Sequence, residues 1–381
     1  MNVLMSFLNA LGSLLPAVIV FGVLIIVHEW GHFIACRLSK IRVDRFSIGF
    51  GPELFHWQSH ETRFSVALLP LGGFVSPAGE EASKVGPEGP RPGDFLAAPV
   101  GARIFVVIAG VAMNYLLAFV LFWAIFLIGR PLPGTVVGSF VPGYPAEASL
   151  LKRNDKIVKV NGVPVGDWKA LLRELDGASG DMIRFDVERP VTDGAPEPLR
   201  VMIRPKVEAT QDIFGKPFSM RRVGILPDPG VFITERYSFF PALRKAWELE
   251  LYHAKLTHQA LFYLITGKVS PKHLIGPLGI IQLSGQAAQA GIVTLLQLLA
   301  VLSVSLAVIN LLPFPALDGG HLIFLLCELV TRRRLSPVLQ ERITTGGFVL
   351  LMVLMVFVLY NDVANMQLVV KIKNLWHPGG S

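Results

Sequence analysis

The sequence predicts a multi-pass membrane protein, mainly α-helical, with about four transmembrane helices, a membrane-associated β-hairpin and one inserted α+β domain. Three observations lead there. Of 381 residues, 52% are hydrophobic and only 17% charged, against about 25% charged in an ordinary soluble domain. Four stretches, 1–27, 104–129, 274–317 and 343–361, contain no Asp, Glu, Lys or Arg, and a helix crossing ~30 Å of hydrocarbon needs about 20 such residues. Between the second and third stretches lies one long polar region, 131–272, which lipid cannot accommodate. These features exclude a purely soluble enzyme, a fibrous chain and a disordered one.

In chain order, residues 1–45 hold the first span, expected at 14–38. Its start lacks the basic region and A-x-A site of a cleaved signal peptide, so it reads as a retained helix. Residues 46–99 are rich in Gly and Pro and read as a re-entrant β-hairpin followed by a cytoplasmic loop. The second span is expected within 100–130, at 102–129. Residues 131–208 form the inserted domain, 209–290 an amphipathic linking segment, and 291–381 the last two spans, at 292–312 and 343–361.

Lys and Arg outnumber Asp and Glu by 35 to 28, a net charge of +7. In a membrane protein that excess marks loops held at the anionic cytoplasmic face, so no nucleic-acid partner is expected. Arg37, Lys40, Arg42 and Arg45 follow the first span, and Arg332, Arg333 and Arg334 separate the third from the fourth. Both clusters are expected in the cytoplasm, with the N-terminus, the 131–272 region and the C-terminus on the other side. Lys371 and Lys373 oppose this, but they are fewer. Cys36 and Cys327 form no CxxC pair and are expected as two buried small side chains.

The chemistry lies in the first span. His28-Glu29-Trp30-Gly31-His32 is an H-E-x-x-H pattern. On a helix, positions i and i+4 share a face, so the two imidazoles can bind one Zn²⁺ at ~2.0–2.1 Å. Glu29 follows the first ligand, where it can take a proton from the attacking water. Ionisable groups inside a membrane helix are costly and functional by default. Measured back from Lys40, His32 lies about 12 Å into the span, too deep for a short side chain at the interface. Two His ligands leave a catalytic zinc one protein ligand short. The candidate is Asp318, which closes the uncharged 274–317 run within Asn310-Leu311-Leu312-Pro313-Phe314-Pro315-Ala316-Leu317-Asp318-Gly319-Gly320-His321. Its alternative role is to cap a helix. Pro313 and Pro315 break the helix and free backbone groups. Asn310 can bond such groups or an extended substrate, or bridge two helices. His321 is either a supporting group or an exposed turn residue.

These paired motifs resemble the site-2 intramembrane metalloproteases. The order of spans, the broken third helix and the intervening soluble domain are similar to the bacterial branch that cleaves membrane-bound anti-sigma factors, and the likeness covers nearly the whole chain. The resemblance implies a zinc held by His28, His32 and Asp318, with Glu29 as the catalytic base. It implies Asn310 and the Pro313/Pro315 loop as elements that hold substrate. The substrates it implies are single-span membrane proteins, such as anti-sigma factors after a first cut or signal peptide remnants, cut in their transmembrane segments in regulated intramembrane proteolysis. It also implies a bacterial inner membrane location, with the active site towards the cytoplasm and the inserted domain in the periplasm.

Within 46–76, Phe46, Ile48 and Phe50 alternate, as do Phe64, Val66 and Leu68, around a polar 58–63 turn. This is a hairpin pattern, and the family has a re-entrant β element beside its zinc. Its open edge, with Gly49 and Gly51, can take an unwound substrate as an added strand; the alternative is a cytoplasmic hairpin with no substrate role. His56 and His60 are expected to face solvent. Pro142 to Ala148, then Leu150 to Gly162, resemble a PDZ core: a short helix, a tight turn, a strand and an Asn161-Gly162 turn. Trp168–Leu175 reads as a second helix, with 184–188 and 199–204 as closing strands. Asn154 stands where the common pattern has Gly. Such a domain binds an extended peptide along a sheet edge, or serves only as a steric plug. Residues 241–266 read as an interfacial amphipathic helix with Trp247, Leu251, Ala254, Leu261 and Ile265 on its apolar face. The Gly276–Ile280 segment resembles one that precedes the family's third span. A catalytically silent scaffold would not need Glu29, and a zinc transporter would need a path of ligands where these spans offer one site.

Overall fold

A computed structural model describes residues 2–80, 89–191, 194–211, 217–269 and 275–365. Lys371 and Lys373, which bear on the side assigned to the C-terminus, lie outside them. The chain divides into two compact units, one of residues up to Ile125 together with those from Leu243 onward, the other Phe126–Ala242.

The first unit opens with α1 (Asn2–Leu38). The helix ends where Lys40 turns to a left-handed φ of 58° and the N–H of Ile41 closes back on the Cys36 carbonyl at 2.8 Å. β1 (Val43–Ser59) and β2 (Thr62–Pro77) pair antiparallel. They are more folded than a flat hairpin. Gly49 and Gly51 take φ of 90° and 91°, which only Gly adopts freely. They bend β1 so that Phe64 lies opposite both Phe46 and Trp57, and β2 itself turns back after Leu69 to bring Val75 against the other side of Phe46. Aromatic contacts seat this ribbon on α1: the Phe33 ring lies 5.7 Å from those of both Phe46 and Phe64. His56 and His60 face outward as expected. α2 (Val100–Ile128) follows.

The second unit holds β3 (Arg130–Pro133), β4 (Val137–Phe140), β5 (Lys156–Val160), β6 (Val163–Pro164), α3 (Trp168–Gly177), β7 (Ile183–Arg189), β8 (Glu197–Ile203), β9 (Lys206–Gln211), β10 (Pro217–Arg222), β11 (Ile225–Pro227) and β12 (Phe232–Glu235). Its main sheet has the order β6-β5-β7-β8. α3 is amphipathic: Trp168, Leu171 and Leu175 point inward at helical spacing, and Asp167 caps it by accepting the Ala170 N–H at 2.7 Å. Asn154 has φ 70°, a left-handed conformation that Asn tolerates next best after Gly. Two expectations change. The 142–148 segment is a chain of turns, not a short helix; Gly143 and Pro145 interrupt any helical ladder there. The unit also runs past 208 to Ala242, because β11 pairs back on β4 and β12 on β3.

The chain returns to the first unit with α4 (Phe239–Ile265), α5 (Pro277–Ala290), α6 (Ile292–Asn310), α7 (Asp318–Thr331) and α8 (Pro337–Asn365). Among the described residues, four helical stretches are long and apolar enough to cross a membrane: Leu14–Leu38, Val100–Ile128, Ile292–Asn310 and Val338–Ala364. The third ends earlier than expected, at Asn310, since Pro313 cannot extend it, and α7 carries the chain on as a separate helix. On α4 the burial is the reverse of a soluble helix: Ala242, Ala246 and Glu250 are buried, while Trp247, Leu251 and Ile265 are exposed. Cys36 is buried, but Cys327 is exposed on α7, against expectation; small size does not bury a residue on an outward helix face. The Gly276–Ile280 segment acquires a structural role. The Asp362 carboxylate of α8 accepts N–H groups of Gly276, Leu278 and Gly279 at 2.8–3.1 Å, capping α5 from another helix.

Candidate metal centre

His28 and His32 stand one turn apart on α1, and Asp318 opens α7. His28 Nε2 lies 3.2 Å from Asp318 Oδ2 and His32 Nε2 lies 3.5 Å from it. The two Nε2 atoms are 3.2 Å apart. Ligand atoms each ~2.0–2.1 Å from a tetrahedral zinc are separated by about 3.3 Å, so the three atoms stand at the spacing zinc requires. Asp318 Oδ2 is buried without a hydrogen bond of its own, a costly state for a carboxylate unless a cation is held there. Among the described residues these three are the one group of His, Cys, Asp or Glu so gathered.

The approach of backbones makes this possible. Gly31 of α1 sits so close to the Ala109 carbonyl of α2 that a Cβ would overlap it, and a Cβ on Gly110 would strike the His32 ring. Small residues let the helices cross at the two imidazoles. Gly319 and Gly320 let the first turn of α7 pack under the carbonyls of Leu311, Leu312 and Phe314, and this brings Asp318 inward. A buried ion pair anchors the other end of α7: Arg103 donates to both carboxylate oxygens of Glu328, at 2.9 and 2.6 Å.

Glu29 borders the same space. Val75 of β2 lines the same space, and a Cβ on neighbouring Gly73 would lie 3.4 Å from Glu29 Cγ. A cavity of about 850 Å³ is lined by His28, Glu29, His32 and Asp318 and extends to Arg334 and Thr345. Asn310 reaches the centre, its Nδ2 3.4 Å from His28 Nε2. Pro313 and Pro315 lie in the α6–α7 connection; a Cβ on Gly347 of α8 would lie 2.8 Å from the Pro315 side chain. Gly49 and Gly51 are at the bend of β1, and neither pair lines the cavity. His321 is exposed on the cavity wall.

Sequence reasoning passed over α2. Val106 O accepts from His32 Nδ1 at 2.9 Å, and the Asn114 amide lies 3.2 Å from His28 Nδ1. The available signal was Asn114 itself, the one amide side chain in the apolar 104–129 run.

Two imidazoles, a carboxylate and an adjacent glutamate, gathered among helices that can span a bilayer, define a membrane-embedded metallopeptidase. The sequence profile of Peptidase family M50 matches residues 16–354. A Clostridium acetobutylicum protein, named provisionally as a zinc metalloprotease, is 33% identical over 94% of this chain and 98% of its own length. One from Agrobacterium fabrum with the same kind of name is 33% identical over 96% of this chain and 100% of its own. A third, from Brucella suis, is 32% identical over 92% and 95%. The chain belongs to peptidase family M50, the site-2 proteases, and is a multi-pass zinc metalloprotease.

Proposed function

We propose that the chain is an intramembrane endopeptidase that cuts the transmembrane segments of single-span membrane proteins, with His28, His32 and Asp318 holding the zinc and Glu29 as catalytic base. The observation that carries this reading is the convergence of the three ligand atoms at 3.2–3.5 Å beside Glu29, on helices able to span a bilayer. Bound zinc supplies Lewis acidity, polarising a carbonyl and acidifying water. Glu29, beside β2 at the wall of the same cavity, takes the proton of the attacking water and returns it to the leaving amine. The substrate must be unwound, since a helix shields its own carbonyls. Asn310, beside His28, and the 73–77 part of β2, beside Glu29, are suited to hold an extended chain. The Pro313/Pro315 loop, with Gly49 and Gly51, serves the same end by shaping these elements.

The ribbon's exposed Phe50, Leu54, Phe55 and Trp57 and the exposed apolar side chains of α4 suit contact with lipid. The basic residues after α1 and after α7 support a bacterial inner membrane topology with the active site towards the cytoplasm and the 126–242 unit in the periplasm. That unit is PDZ-like in our reading, with an Asn161-Gly162 turn and an edge-bearing sheet suited to an extended peptide ligand. The biological setting is regulated intramembrane proteolysis, on anti-sigma factors after a first cut or on signal peptide remnants. The test is mass spectrometry of a co-expressed single-span substrate with wild type and Glu29→Gln. Cleavage within the span by wild type, lost in the variant, is expected; equal cleavage by both overturns the reading.

A further inference from the structure

Each zinc-facing imidazole has a second ring nitrogen, and α2 receives both. Val106 and Asn114 are two helical turns apart on one face of α2. The His32 Nδ1 meets the Val106 carbonyl at 2.9 Å. The His28 Nδ1 meets the Asn114 amide at 3.2 Å. Asn114 is 0% exposed. Its backbone carbonyl is tied to α6 by the Ser303 hydroxyl at 2.7 Å, so its position is set by two helices. Its Oδ1 is buried without a partner, and among the described residues its amide meets His28 alone.

A histidine that offers Nε2 to a metal uses that nitrogen's lone pair, so its hydrogen sits on Nδ1 and needs an acceptor. For His32 the acceptor is the Val106 carbonyl. An asparagine amide presents either its oxygen or its nitrogen at the same place by rotating about Cβ–Cγ. With the oxygen towards His28, the orphaned acceptor and the ring N–H satisfy each other. We infer that Asn114 is a positioning residue of the metal centre: its amide oxygen accepts the Nδ1–H of His28 and holds that ring with Nε2 turned to the zinc. The inference rests on His28 being a zinc ligand. Groups that orient metal-bound histidines in this way set metal affinity as well as geometry.

The experiment uses the full chain purified in detergent and measures the zinc dissociation constant by competition with a chromophoric chelator. Asn114→Leu keeps the size and removes the acceptor; it should weaken zinc about 10- to 100-fold while still saturating with one zinc per chain. Asn114→Asp keeps the acceptor and should bind zinc as tightly as wild type or more so. In the cobalt(II)-loaded protein, the d–d absorption should change in Asn114→Leu and return in Asn114→Asp, which loss of packing alone would not produce. Folded Asn114→Leu with an affinity within about threefold of wild type, far from the loss such groups cause, overturns the inference. If Asn114→Leu does not fold, Asn114→Asp decides, and weaker zinc binding in that variant overturns it. His28→Ala separates the two readings. Retained zinc there removes His28 from the centre, whereas lost zinc there with unchanged Asn114→Leu rejects the positioning role alone.

Discussion

The two compact units are built on opposite rules. In the 126–242 unit, Val137, Ile157, Leu171, Ile183, Phe185 and Val187 make an apolar centre, and the buried polar side chains among the described residues are Thr135 and Asp155. Asp155 is fully paired with Arg189 at 2.8 Å. In the helical unit the buried set includes His28, Arg103, Asn114, Glu250, Ser303 and Asp362, while Phe348, Val349, Leu350, Val353 and Val356 of α8 are exposed. Water drives apolar groups inward in the first case. Hydrocarbon removes that drive in the second, where polar groups gather inside because lipid cannot satisfy them. An interior that also holds polar side chains is where a hydrolytic centre can be assembled.

The largest effect should come from that polar interior. Asp318→Ala should release the zinc and abolish cleavage, because two imidazoles alone do not make a tight catalytic site. Metal analysis that finds full zinc in this variant would remove Asp318 from the centre and leave its buried, unpartnered Oδ2 unexplained.

The next effect contrasts the two kinds of aromatic. Phe185→Ala should cost the 126–242 unit about 3–5 kcal/mol. Phe348→Ala, on the exposed face of α8, should change the stability of the detergent-solubilised protein by no more than about 0.5 kcal/mol. Thermal unfolding of both variants checks this, and equal losses would break the contrast.

Glu250 sharpens it further. This carboxyl is buried on α4, outside the candidate spans, with Oε2 unpartnered, and burial pushes it up to about 7. The folded state therefore holds a proton that the unfolded state has already lost. Its contribution is fully present below the ordinary carboxyl value of 4.5 and is lost as pH rises through about 7. Glu250→Gln should thus become progressively more stable than wild type across that window. Stability curves that stay parallel with pH would show that Glu250 is better solvated than its burial indicates.

The smallest effect belongs to ordinary helix chemistry. Asp167→Ala removes the α3 cap and should cost about 1 kcal/mol, read from the melting of the full chain.

Much of this protein was written in one-dimensional patterns. Charge-free runs placed the four spans because lipid tests length and polarity, both of which are local properties. H-E-x-x-H marked the helix of the candidate metal centre because i and i+4 share a face whatever the helix packs against. Asp318 stood out as the carboxylate that ends an uncharged run. β5, β7, β8 and α3 followed from strand and helical patterning, whereas β3 and β4 did not. Other features depended on contacts between distant segments. Val106 and Asn114 behind the two imidazoles, the return of β2 to Phe46 at Val75, and the Asp362 cap on α5 join residues far apart in sequence. So does the return of β11 and β12 to β4 and β3. Periodicity determines which face of an element is apolar. The tertiary structure alone decides which polar atom meets which, because a hydrogen bond requires two specific atoms within about 3 Å.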